Sequence, residues 1–377
     1  RASAVAAAKM AAARNPAAKS IFQLIEEQHA AEEAAGLDDV LKEHASESEV
    51  IFVGSKQGGK SSLILSFVGK ADAPKPTTAL EYKYARYSPK DGNAQVVANL
   101  WELAGDTQLS PLLDVVLTPA KVASSQVVIV VDLSTPGAVL GTLDHWLDAV
   151  RARVDTCVRE VRRMDRAEAT LRQLEARVPT PSEEVRPVGV PVVIVGSKWD
   201  AFEDAHQGST ESVQVMAKTL RYVAHANGAS LVYTKAADKT LLSAMKRLVS
   251  HHAFRTEPLH AFQPEYSKPI VVPAGKDSVA QIGVPPGQEG AGRDRLRAAF
   301  TALFHEVFPP PEDKGDPRAS KKHVVDADLY AEEGVDALRA QRLKELTQRA
   351  ARLRAEAAAA AAGMAQAQGA AAAPTQA

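Results

Sequence analysis

Apolar positions in the first two thirds of the chain fall into two patterns. EVIFVG (49–54), SSQVVIVVDL (124–133), VPVVIVGSKWD (190–200) and ASLVYTK (229–235) are short continuous apolar runs that end in Gly, Asp, Ser or Thr. Runs of this length read as strands buried on both faces of a parallel sheet. LEYKYARYS (80–88) and QVVANLWEL (95–103) read as two further strands, joined by a turn through SPKDGN where Asp91-Gly92 supplies the turn chemistry. Between the runs lie stretches with helical spacing. They predict a helix after Lys60 that ends at Gly69, a long one over 137–177, and others over 211–227 and 238–250. Strand and helix in alternation imply a doubly wound sheet, with ligands at the carboxyl ends of its strands.

The pattern changes at both ends. Residues 20–47 carry apolar side chains at mixed helical spacing among dense charge, and read as a surface helix leading into the core. Residues 151–177 lengthen the 137–177 helix beyond the usual, so a charged helical projection is expected, closed by the proline-rich loop PTPSEEVRP. From 256 onward proline punctuates a partly apolar segment, which reads as an extended strap, followed by a helix in DRLRAAFTALFHEVF that stops at Pro309. Residues 327–362 read as one charged, Ala-rich helix, and 363–377 as low complexity and disordered. The organisation is therefore an extension (1–47), a nucleotide-binding core (48–255) with a helical insertion at 151–188, strap and helix (256–311), and a tail (312–377).

Composition narrows the choice of partners. The 377 residues hold 46 acids and 45 bases, for a formal charge of -1, so no global field favours nucleic acid or an anionic membrane. Cys157 is the one cysteine, which excludes an internal disulfide and fits a reducing compartment. No apolar run approaches the roughly 20 residues of a spanning helix. The first 20 residues, rich in Ala and Arg, resemble a transit peptide, but equally Ala-rich sequence recurs at the other end and an Ala-rich extension is the reading preferred.

The strongest chemical signal is GSKQGGKS, from Gly54 to Ser61, between a predicted strand and a predicted helix. Its pattern of Gly54, Gly59, Lys60 and Ser61 is that of a loop whose backbone N–H groups cradle phosphates at a helix N-terminus, with Gln57 and Gly58 inside it. Lys60 is expected to reach the β- and γ-phosphates, Ser61 to offer its hydroxyl to Mg²⁺, and Ser62 to bond the α-phosphate. Asp200, closing SKWD, is placed to accept two protons from a guanine, with Ser197 and Lys198 before it and Thr234 and Lys235 after the next strand. Read without that context, Asp200 is a helix N-cap. GDP or GTP, with or without Mg²⁺, is the expected cofactor.

Hydrolysis asks for more. Thr77 in KPTTALEY fits the loop threonine that completes a magnesium site, but the second switch reads ELAG, with Glu102 where Asp is usual and Gly105 retained. Asp106 stands where a water-positioning Gln is expected, and Gln108 is out of register. Turnover should be slow or absent. His251-His252 reads as a surface pair at a helix end, the three tryptophans as packing, and the charged run 159–175 as a solvated face.

FVGSKQGGKSSLI, PKPTTALEYKYAR, LWELAGDT, VVDLSTPG, VVIVGSKWDAF, TLRYVAHANGASLVYT and PAGKDSVAQIG together resemble the dynein light intermediate chain family, within it the branch of cytoplasmic dynein 2, the intraflagellar-transport dynein. The resemblance covers residues 50 to about 285. It implies an α/β, Ras-like P-loop G domain with an N-terminal helix, a C-terminal strap and a helical tail. It further implies a non-catalytic subunit that docks on the dynein 2 heavy-chain tail, with other dynein 2 subunits and intraflagellar transport trains as partners, and neither nucleic acid nor direct membrane contact. Bound nucleotide would be mainly structural. Cytoplasm, cytoskeleton, axoneme and basal body of a cilium or flagellum are the implied location. The strap, through Ile270, Val271, Val272 and Ile282, is expected to contribute to the heavy-chain interface. The competing reading is a working GTPase switch; an ATPase or kinase would need an adenine site that the motifs do not supply.

Overall fold

A computed structural model describes residues 47–70, 72–88, 96–105, 107–164, 167–311, 334 and 337–352. The expected helix at 20–47, the Asp91-Gly92 turn, Asp106 and the low-complexity end lie outside the described residues, Glu47 excepted. The described residues from Glu47 to Pro311 form one compact unit, and the helical residues 337–352 belong to a second.

Each continuous apolar run is a strand. β1 (Glu47–Gly54), β4 (Ser125–Asp132), β5 (Val192–Ser197) and β6 (Ser230–Tyr233) lie parallel, and β3 (Val96–Leu103) joins them beside β1. An antiparallel strand closes each edge, β2 (Leu80–Tyr87) on β3 and β7 (Val271–Val272) on β6, giving the order β2-β3-β1-β4-β5-β6-β7. Side chains alternate across a strand, so each run feeds two cores. Ile51, Val53, Ile129 and Ile194 enter one, Val50, Phe52, Val128 and Val195 the other.

The second core is covered by α1 (Lys60–Val68), which ends on Gly69 in the left-handed region as the sequence predicts, and by a helix over residues 239–254. The first core is covered by most of the remaining helices. In chain order these are α2 (Leu113–Val116), α3 (Val139–Val161), α4 (Ala167–Glu175), α5 (Trp199–Ala205) and α6 (Thr210–Ala226); the 239–254 helix is α7, and α8 (Val279–Ile282) and α9 (Arg293–Val307) follow. A third, smaller cluster lies between α6, α8 and α9.

The expected charged projection is not found. The helix stops at Val161 and a second one begins at Ala167, returning the chain to the sheet. Val154, Cys157 and Val161 on one stripe of α3, and Leu174 of α4, are buried in the first core. Charge counted along the sequence concealed this apolar stripe. Arg177 then anchors the return, donating to the carbonyls of Ala123, Ser125 and His252.

The strap is also used inside the chain. Ile270, Val271, Val272 and Ile282 are all buried, at 0%, 7%, 3% and 2% exposure, so they offer no surface to a partner. Val271 and Val272 pair with β6, Ile270 and Val272 complete the first core, and Ile282 packs with Tyr222, Leu296 and Phe300. A two-residue strand has no period to read, which is why burial looked like exposure from sequence. Arg221 of α6 fastens the strap: its guanidinium holds Asp277 through two bonds of 2.8 and 2.7 Å and donates to the Pro264 carbonyl at 3.1 Å.

Candidate functional site

The carboxyl ends of the parallel strands meet at one end of the sheet, where register aligns Gly54 with Val130, Asp132 with Ser197, and Gly196 with Tyr233. From Gly54 the chain turns at once into the phosphate-loop sequence. A Cβ on Gly54 would fall 1.9 Å from the Val130 carbonyl oxygen, and its φ is 122°, so glycine is required there. Gln57 holds a left-handed φ of 57°, and the loop closes through the Gly58 N–H to Ser55 carbonyl bond.

At the N-terminus of α1 stands Gly59, which supplies no side-chain cap. The first N–H groups of a helix lack partners within it, and here they follow the loop without a cap, the arrangement that receives an anion. Lys60 is buried, its ammonium donating to the Ser55 carbonyl at 2.8 Å and the Gly54 carbonyl at 3.3 Å. Burial pulls its pKa below the usual lysine value, and the Glu102 carboxylate opposes that shift. Gln57 and Ser62 are exposed.

Glu102 is the residue the sequence flagged as a departure, and its longer side chain has a clear use. It is 3% exposed, and Ser61 Oγ donates to its Oε1 at 2.7 Å. Its Oε2 is buried with no hydrogen-bond partner. Two oxygens so close are near neighbouring corners of an octahedron with bonds of about 2.1 Å, so the pair fits a hard divalent cation such as Mg²⁺ shared with phosphate. Thr77 is not brought to this pair; it donates to Glu81 at 3.2 Å. Among the described residues no group of three His, Cys, Asp or Glu could hold a metal by itself.

Gly105 follows on the same loop. A Cβ there would lie 2.2 Å from Lys56 Cα, so only glycine lets the loop after β3 lie against the phosphate loop. Gln108 is exposed in the 3-10 turn Thr107–Leu112.

The residues expected to face a base lie on three loops. Lys198 has a left-handed φ of 56° and pairs with Asp132 at 2.5 Å, while Asp132 also accepts from the Ser134 N–H and hydroxyl. Ser197 is buried and donates to the Val131 carbonyl, Thr234 bonds Gly196 and Trp199 through its backbone, and Lys235 is half-buried beyond it. Asp200 is exposed in the first turn of α5. Trp199 beneath it is core, stacked on Tyr233 at 4.9 Å.

One residue escaped the sequence reading. Asp132 holds Lys198, and its backbone N–H donates to Ser55 Oγ at 3.2 Å, tying the β4 end to the phosphate loop. Its signal was there: an acid ending an apolar run.

A mostly parallel sheet that delivers a glycine loop, a lysine and a base-side lysine-aspartate element to one end is a Ras-like P-loop fold. The family model described as dynein light intermediate chain (DLIC) matches residues 41–186 and 175–376, and the chain belongs to that family. Its relatives include cytoplasmic dynein 2 light intermediate chain 1 of Danio rerio, 34% identical over 314 residues that cover 80% of this chain and 85% of that one. The Homo sapiens protein of the same name is 33% identical over 316 residues, covering 80% and 87%. Human cytoplasmic dynein 1 light intermediate chain 1 is 27% identical over 275 residues, 62% of this chain and 51% of that one. Among solved structures, that titled the crystal structure of the dynein light intermediate chain's conserved domain superposes with a TM-score of 0.52 at 18% identity, covering 70% of this chain and 99% of that one.

Proposed function

We propose that this chain is a non-catalytic subunit of a cytoplasmic dynein of type 2, docking on the heavy-chain tail and serving retrograde intraflagellar transport and cilium assembly. The identity to dynein 2 relatives over 80% of the chain is the observation that carries it. Its place of work would be the cytoplasm, the axoneme and the basal body. A guanine nucleotide at the phosphate loop supports the fold rather than a catalytic cycle: ligand bound at 100 times its dissociation constant adds about 2.7 kcal/mol. The three tyrosines on edge strand β2, with Tyr82 and Tyr84 half-exposed, form the surface that best fits a docked partner.

Co-expression with dynein heavy-chain tail fragments tests the docking, and failure of the purified chain to associate with them sinks it. The nucleotide that co-purifies tests the role given to Asp200, with adenine nucleotides contradicting it. A GTPase switch is the second reading, favoured by the intact loop and Lys60. It requires a single-turnover rate that collapses in Lys60→Ala.

A further inference from the structure

At the end of the sheet opposite the phosphate loop, Ser48 of β1, Val96 of β3 and Ser230 of β6 stand where their strands begin, around an open cleft of about 1100 Å³. Small-ligand pockets run to roughly 300–1,000 Å³, so this space suits a piece of chain several residues long. α4, the end of α7 and the turn after β7 complete its walls, and Val96, Leu248 and Leu259 give it apolar lining.

Its charge is unbalanced. Arg177, His260 and Lys276 line it, and none of the three has an ion-pair partner among the described residues. Glu47 is the one carboxylate among the described lining residues, and it already accepts from Asn99 at 3.1 Å. Arg177 is held by three carbonyls, which take its hydrogen bonds but leave its charge in place. Burial, then Arg177 and His251, lower the pKa of neighbouring His252 to about 3, so the charges that reach that ring are positive. The dipole of α7 does not account for this set, because His260 and Lys276 lie on separate segments beyond its last turn.

Ser48 supplies an independent sign. It lines the cleft and is 5% exposed, and its Oγ is buried with no hydrogen-bond partner. Buried hydroxyls are ordinarily paired, and a carboxylate entering the cleft could accept this one.

We propose that the cleft is a docking site for an acidic peptide segment of a partner protein, one in which carboxylates lie beside apolar side chains. The carboxylates accept from Ser48 and pair with Lys276, His260 and Arg177, while the apolar groups cover Val96, Leu248 and Leu259. The site includes neither the phosphate loop nor the tyrosines of β2, so it stands apart from nucleotide binding and from docking at that edge.

A short fluorescent peptide of alternating glutamate and leucine, titrated into the full chain and followed by anisotropy, should bind, and its glutamine counterpart about tenfold more weakly. Lys276→Glu should cost about tenfold in affinity, whereas Lys239→Glu, the same change of charge at the far end of α7, should cost nothing. Both lysines are exposed, so neither variant should move the melting temperature. Ser48→Ala separates a ligand contact from a structural role: it removes an unpaired hydroxyl, so it should leave the free chain no less stable yet weaken the peptide several-fold. In hydrogen exchange the peptide should slow residues 259–260 and 274–276. Absence of binding, equal affinity for the two peptides, equal losses in the two lysine variants, or protection only elsewhere overturns the proposal. Retention on phosphatidylserine vesicles that Lys276→Glu abolishes, with no peptide bound, would assign the face to a membrane and overturns it as well.

Discussion

Glu102 and Ser61 are joined at the start of α1. Their hydrogen bond, 2.7 Å long, uses the hydroxyl that a G domain offers to magnesium. Glu102→Asp shortens the side chain by one methylene and should release Ser61. Nucleotide retention should then respond more strongly to chelation of Mg²⁺ than in the parent chain, as read from dissociation rates with and without EDTA. Equal responses would show that the bond has no bearing on the metal.

His252 gives a second handle at this scale. Burial above all, then Arg177 and His251, depress its pKa from 6.5 to about 3. The folded state therefore binds fewer protons than the unfolded state between those values. Stability is fully present above pH 6.5 and is lost as pH falls toward 3. Urea midpoints of the parent chain should drop between pH 7 and pH 4.5, and His252→Asn should flatten that drop.

At the scale of elements, the strap depends on a buried ion pair. Arg221 and Asp277 are 7% and 3% exposed at their side chains, and the guanidinium also binds the Pro264 carbonyl. Asp277→Ala leaves a buried, unpaired guanidinium and should cost about 3–5 kcal/mol in chemical denaturation. Replacing both, Arg221→Met with Asp277→Leu, should recover much of that loss, because desolvated charge is removed with its partner. If the single and double variants are equally unstable, packing rather than charge holds the strap. The same logic explains the return of α4 onto the sheet. Arg177 is half-buried and, among the described residues, donates to three carbonyls; its burial lowers its pKa to about 10.

For the whole molecule, docking is the property to test. Tyr82→Ser with Tyr84→Ser on β2 should lower recovery with the heavy-chain tail while leaving the melting temperature within a few degrees, since both rings are about half-exposed, at 48% and 49%. Tyr82 also lies tilted against Trp101 at 4.8 Å and donates to Asn99, so Tyr84→Ser alone is the control for local damage.

The sequence by itself determined the strands with continuous apolar runs, the glycine loop and the end of α1, because each rests on local physics: burial on both faces, a tight turn from a strand into a helix, a glycine in the left-handed region. It also flagged Glu102 and put the glycine loop and the SKWD segment at strand ends, where the sheet has them. Only the tertiary structure decided where charged stretches go. Val154, Cys157 and Val161 fold inward although their neighbours are Arg, Asp and Glu, and Ile270 to Val272 close a sheet edge for which two residues leave no period. The Asp132–Lys198 pair joins residues brought together by strand register, and Thr77 is turned to Glu81. Local pattern sets an element's type, whereas partner choice depends on contacts between residues far apart in the chain.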